Sequence, residues 1–142
     1  MGLTNTGQGK AIKGFGEIAL RVNDLDTMQK FYEQVVGLEV LNRSDDAVFL
    51  KVAEGYGGHT QVLVLFDRSK QSDYSGIDAR KSTVDHIAFE IDLADFEAEK
   101  RRLEGAGIPL TTAEHAWVHW RSLYVRDPEG NEVEFVCYDK KV

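Results

Sequence analysis

The stretch Glu17-Ile18-Ala19-Leu20-Arg21-Val22 returns about 70 residues later as His86-Ile87-Ala88-Phe89-Glu90-Ile91. The same offset relates Gly37-Leu38 to Gly107-Ile108, and the β-rich run Gln61 to Phe66 to the run Glu132 to Val136. A period this long, present only twice, is not a solenoid; it marks a duplicated supersecondary module. Duplication bears on function because pseudo-symmetry gathers equivalent strand positions about one axis. Those positions hold Glu17, His86, Val64 and Glu134. Three of the four are side chains able to ligate a metal.

Working outward, each copy reads β-α-β-β-β. Residues 15 to 22 form a strand, and Asn23-Asp24-Leu25-Asp26 supplies helix N-cap chemistry. Met28, Phe31, Tyr32, Val35 and Val36 recur at near-helical spacing, and Gly37 ends the helix. Strands are expected at about 38 to 43, 47 to 53 and 61 to 67. The polar segment Arg68 to Thr83 lacks apolar periodicity and reads as a linker. The second copy gives a strand at 84 to 91, a helix from about Ala94 to Ala106 and strands near 110 to 115, 119 to 126 and 132 to 138. The organisation is thus a tail at 1–13 and a single domain at 14–142. Within it lie module one at 14–67, the linker at 68–83 and module two at 84–138. The fold class is α+β.

Period-two alternation assigns faces. Ile18, Leu20 and Val22 oppose Glu17, Ala19 and Arg21; Ile87, Phe89 and Ile91 oppose His86, Ala88 and Glu90. The apolar sets must cover the helices, which leaves a carboxylate and an imidazole on the other face. Asp127-Pro128-Glu129-Gly130-Asn131 is a dense turn signal. If Arg126 pairs with Glu132 across it, Tyr124 pairs with Glu134, and direct cross-strand partners share a face. Val133 and Phe135 then pack on the opposite side.

At 142 residues the chain can bury roughly 70% of its unfolded surface in one core. A net charge of −7 argues against nucleic acid, because no basic stripe exists to neutralise phosphates. No apolar run reaches membrane-spanning length, and Met1 to Lys13 lacks a signal-peptide pattern, so a cytoplasmic protein is expected. The single cysteine, Cys137, reads as a structural strand residue.

Four runs carry a family resemblance: Ile18 to Leu25, Phe31-Tyr32 through Val36-Gly37-Leu38, Asp85 to Phe89, and Arg121 to Glu134. Together they make the chain resemble the vicinal oxygen chelate superfamily, which includes glyoxalase I, methylmalonyl-CoA epimerase, fosfomycin-resistance proteins, bleomycin-resistance proteins and extradiol dioxygenases. The resemblance spans residues 15 to 138. It implies two βαβββ modules forming a cupped, incomplete barrel around a divalent metal. The ligand positions of the family fall on Glu17, His86, Val64 and Glu134. Val64 cannot coordinate, so a three-ligand site of Glu17, His86 and Glu134 is implied. One imidazole and two carboxylates form a hard donor set, suited to Mn, Fe(II), Ni, Co, Mg or Zn. Such an ion would polarise a carbonyl or stabilise an enediolate. The resemblance further implies a small-molecule substrate with vicinal oxygens, a homodimer, and a lyase, isomerase or dioxygenase-like reaction. The alternative is a metal-free small-molecule-binding protein of the bleomycin-resistance type.

Tyr124 is a candidate for orienting or protonating substrate; the competing reading is a core tyrosine with a satisfied hydroxyl. His115 and His119 invite a metal reading, but the segment reads as extended, which separates them by about 13 Å. His119 is kept as a candidate acid/base residue. His59 follows Gly57-Gly58 in a loop and is expected at the surface. Gly55-Tyr56-Gly57-Gly58 precedes a strand and not a helix, which argues against a phosphate cradle. The charged run Glu97 to Glu104 reads as a solvated helix face.

Overall fold

The structure, a computed structural model of the chain, describes residues 11–142. Most of the expected 1–13 tail, with the reading of it as leaderless, falls outside the described residues. Among the described residues no helix is long and apolar enough to cross a membrane.

Module one contributes β1 (Glu17–Val22), α1 (Leu25–Lys30), β2 (Glu39–Arg43), β3 (Ala47–Glu54) and β4 (Thr60–Asp67). Module two contributes β5 (His86–Glu90), α2 (Phe96–Gly105), β6 (Thr111–His115), β7 (Trp120–Arg126) and β8 (Glu132–Tyr138). The strands form two four-stranded sheets of the same order, β1-β4-β3-β2 and β5-β8-β7-β6. In each, the first strand lies parallel to the last and forms one edge of the sheet. The two sheets are cupped and do not close into one barrel.

Local chemistry explains the elements. Asp24 caps α1 by accepting from the Thr27 N–H at 3.1 Å. Asp92 does the same for the short 3-10 segment Leu93–Asp95 that leads into α2, accepting from Ala94 N–H at 3.1 Å. Both helical segments end where glycine takes a left-handed conformation, Gly37 at φ 92° and Gly107 at φ 74°. The first helix departs from expectation in its second half. Phe31–Val36 widens into a π-helix, with Gly37 and Leu38 N–H both reaching the Tyr32 carbonyl. The wider turn accompanies full burial of Tyr32 beside Phe31.

One hydrophobic cluster unites the helix-facing sides of both sheets. It contains Leu20, Leu50 and Leu65 of module one, Leu123, Val133 and Phe135 of module two, and Met28, Tyr32, Phe96 and Leu103 from the helical segments. Polar contacts tie the modules across this core. Tyr32 Oη donates to Asp127 Oδ2 at 2.8 Å. Glu129 accepts from the N–H groups of Asn23 and Asp24, closing the start of the first helix. Arg102 donates to the Val35 carbonyl at 2.8 Å. Because both helix-bearing faces share one core, the opposite faces, with Glu17 on one and His86 on the other, remain open.

Between β6 and β7 the chain turns. Residues 116–119 form the turn, and His115 pairs with Trp120. The extended reading of this segment is therefore corrected: His115 and His119 stand on either side of a hairpin end, and His119 adopts φ 59° to close it. No glycine or proline marks the turn, which is why composition concealed it.

Candidate functional site

The open face of module two gathers ionisable groups. The register places His86 opposite Glu132 and Ala88 opposite Glu134. On the other side of β8, Tyr124 is the direct partner of Glu134, as the turn arithmetic expects. Side chains follow that register. His86 Nε2 lies 3.2 Å from Glu134 Oε2. Tyr124 Oη donates to the other oxygen, Oε1, at 3.2 Å. His115 Nε2 in turn reaches Tyr124 Oη at 2.9 Å. The imidazole of His86 is oriented from behind by Asp85, whose Oδ1 stands 2.6 Å from Nδ1. With the proton on Nδ1, the Nε2 lone pair points toward Glu134.

Burial differs sharply along this chain of contacts. Glu134 is 5% exposed, whereas His86 and Asp85 are open to solvent. A nearly buried carboxylate needs compensating donors or a cation. Tyr124 supplies one donor, and His86 completes the set when protonated. Asp85, and after it Glu134, favour the imidazolium and push the His86 pKa upward against partial desolvation. A divalent ion at Nε2 would take the place of that proton. Burial is the main cause raising the Tyr124 pKa, with the Glu134 charge adding to it, so the hydroxyl stays protonated at neutral pH.

Donor chemistry here fits a metal. Ligand atoms of Asp85, His86 and Glu132 all lie within 4.8 Å of one another. His86 and Glu134 are closer still. One imidazole among carboxylates is the donor set of a hard or borderline divalent ion. Asp85 and Glu132 add to the ligand set expected from sequence, and the sequence holds a signal for each. Asp85 precedes His86, and parallel pairing sets Glu132 across from it.

Other candidates are placed as follows. Glu17 occupies the position in module one that His86 holds in module two, with Val62 opposite it. It lies exposed on the other sheet and is not part of the cluster around His86. Val64 is fully buried beside Ala19 and Phe49. His119 turns away from Tyr124: its Nδ1 meets the Val142 main-chain oxygen at 2.6 Å and its ring packs edge-on against Tyr138. His59 is exposed. Cys137 is buried in β8, and burial raises its thiol pKa, which agrees with a structural role.

A duplicated βαβββ scaffold with a histidine–glutamate pair on an open sheet face defines the vicinal oxygen chelate class of proteins. Comparison with known proteins agrees. The sequence model of the Glyoxalase/Bleomycin resistance protein/Dioxygenase superfamily matches residues 14–135, and the chain belongs to that superfamily. It is similar to a lactoylglutathione lyase of Neisseria meningitidis serogroup A, 29% identical over 119 residues, covering 82% of this chain and 85% of that protein. A solved lactoylglutathione lyase from Agrobacterium tumefaciens is 32% identical, with a TM-score of 0.63 over 87% of this chain and 92% of its own. At 19% identity and a TM-score of 0.65, a fosfomycin resistance protein from Listeria monocytogenes shares the fold over 92% of this chain and 95% of its own. That structure is of a glutamate-to-glutamine mutant of the protein, complexed with Mn(II) and 1S,2S-dihydroxypropylphosphonic acid.

Proposed function

We propose that the chain is a divalent-metal-dependent enzyme acting on a small molecule with vicinal oxygens, of the lyase or isomerase kind carried by its lactoylglutathione lyase relatives. The observation that supports this best is the His86–Glu134 pair at 3.2 Å, oriented from behind by Asp85. In this reading His86 and Glu134 hold the ion, and Glu17 is the third ligand. A bound ion would supply Lewis-acid polarisation of a substrate carbonyl.

The chain's own groups have distinct roles in the proposal. Asp85 fixes the His86 tautomer, so that Nε2 faces the site. Glu134 presents two oxygens, one toward His86 and one held by Tyr124. Tyr124 keeps its proton, orients substrate oxygen and donates a hydrogen bond to it. His115 steadies the Tyr124 hydroxyl from the far side. His119 remains a rim residue in this scheme, with acid/base participation open to test by His119→Gln.

Glu17 lies on the other sheet, so the reading calls for a homodimer in which a second copy brings its module one to this module two. A cytoplasmic setting belongs to the same proposal. The competing reading is a metal-free binding protein of the bleomycin-resistance type, and the separation of Glu17 from His86 within one chain favours it. Elemental analysis after metal soaking separates the two. The enzyme reading expects about one divalent ion per chain, lost in Glu134→Ala. Absence of a stoichiometric ion, or undiminished binding by Glu134→Ala, rejects it. Light scattering that returns a monomer at micromolar concentration removes the dimer.

A further inference from the structure

A cavity of about 880 Å³ lies on the opposite module, between the open face of the first sheet and the linker. None of His86, Glu132, Glu134 or Tyr124 lines it. Its wall carries three cations: Arg21 from β1, Arg68 just past β4 and Lys81 from the linker. In a chain of net charge −7, such a grouping runs against the average. None of the three forms an ion pair among the described residues. A carboxylate that lines the wall, Asp78, is already engaged by Arg80, both at its guanidinium and at its backbone N–H. Arg68 is held in place, its guanidinium 4.3 Å from the centre of the Phe66 ring. It also borders a smaller recess containing Asp45, Asp46 and Asp67, yet it pairs with none of them. Ser75, Ser82 and Thr83 add hydroxyls, and Asn131 adds an amide from the turn of module two.

Like charges gathered without counter-charges repel, and an anion relieves that repulsion. Arginine forks suit the planar oxygen pairs of carboxylates and the faces of phosphates, while lysine acts as a point charge. The volume fits a small organic molecule. We propose that this cavity is an anion-binding site that takes a small polyanion, through a phosphate- or carboxylate-type group, on Arg68, Lys81 and Arg21. The site draws on no metal; Arg21 shares the Glu17 face of β1, so in the homodimer proposed above the cavity borders the face that meets the partner's module two, and metal analysis tests that reading separately from anion binding.

The test is calorimetric titration of the full chain with inorganic pyrophosphate and, separately, with citrate at fixed ionic strength. Saturable binding of either at one per chain is expected. Pyrophosphate alone identifies a phosphate-type ligand, citrate alone a carboxylate-type one, and both a general polyanion site. Arg68→Gln combined with Lys81→Gln weakens binding about tenfold or more. Arg101→Gln, exposed on α2, outside the cavity and carrying the same charge change as one of these, leaves the affinity unaltered. Both probes also chelate metals, so Glu134→Val must bind them as well as the parent does. Lys81→Gln alone, at an exposed position, keeps the test valid if the double variant misfolds. The proposal is overturned if neither probe saturates below about millimolar concentration, or if the cavity variants bind within about threefold of the parent. It is equally overturned if Arg101→Gln weakens binding as much as they do, or if Glu134→Val abolishes it.

Discussion

Modules one and two are built on the same plan and differ in what the sheet face away from the shared core carries. Strand order is the same, and the registers correspond: Glu17 with Val62 and Ala19 with Val64 in one, His86 with Glu132 and Ala88 with Glu134 in the other. Yet the open face of the first sheet carries Val62, Val64, Phe49 and Phe66, with the two phenylalanine rings edge to face. In the second sheet the matching face carries Glu132, Glu134, Ser122 and Tyr124. The difference teaches that hydrogen-bond register and helix capping maintain the module, while the outward side chains are free to diverge. In this chain one copy became an apolar and cationic wall and the other an acidic, histidine-bearing site.

Exchanging the two central residues is the sharpest way to break that contrast. Val64→Glu buries a carboxylate with no donor opposite it and is expected to destabilise the fold by about 3–5 kcal/mol in chemical denaturation. The reciprocal Glu134→Val removes a buried charge from module two and leaves metal-free stability equal or higher. If both exchanges destabilise equally, the two faces are not the distinct environments described.

A smaller loss is expected where the modules lock together. Asp127 accepts from Tyr32 Oη, from the N–H groups of Glu129 and Asn131, and from the Asn131 amide. Burial and the nearby Asp127 charge push the Tyr32 pKa far above its usual range, so its hydroxyl remains a donor. Asp127→Ala leaves that buried hydroxyl unpaired and should lower stability by about 3 kcal/mol, with Tyr32→Phe costing about 1 kcal/mol. A non-additive double variant, measured by denaturation, confirms the coupling.

Tyr124→Phe bears on chemistry more than on folding. On any substrate found, turnover should fall about tenfold to a hundredfold while stability changes by under about 1 kcal/mol and metal content holds. Unchanged turnover removes the hydroxyl from the mechanism.

The smallest effect concerns acid. Thr27, through its N–H and its hydroxyl, holds the Asp24 carboxyl below the ordinary carboxylate range. A depressed folded-state pKa contributes stability that is present above the unfolded value, about 3.9, and lost as pH falls through the folded one. Asp24→Asn should therefore be slightly less stable than the parent at neutral pH and converge on it as pH falls below about 4, flattening the acid limb of the curve. Parallel pH–denaturation profiles of parent and variant would overturn this.

Much of this protein is legible in its sequence. The repeated Glu17 and His86 strands, their alternation, and the turn from Asp127 to Asn131 determine both sheets and the pairing of Tyr124 with Glu134. These are local properties, since strand faces follow period two and a hairpin's register follows its turn. Tertiary structure alone decided the rest. It put Glu17 on a different sheet from His86, set Glu132 beside the imidazole and brought His115 to the Tyr124 hydroxyl. It also sent His119 toward Val142 and widened the helix at Phe31 to Val36. Those outcomes depend on how two helix-bearing faces pack into one core. That packing joins residues far apart in sequence through burial, which no local pattern encodes.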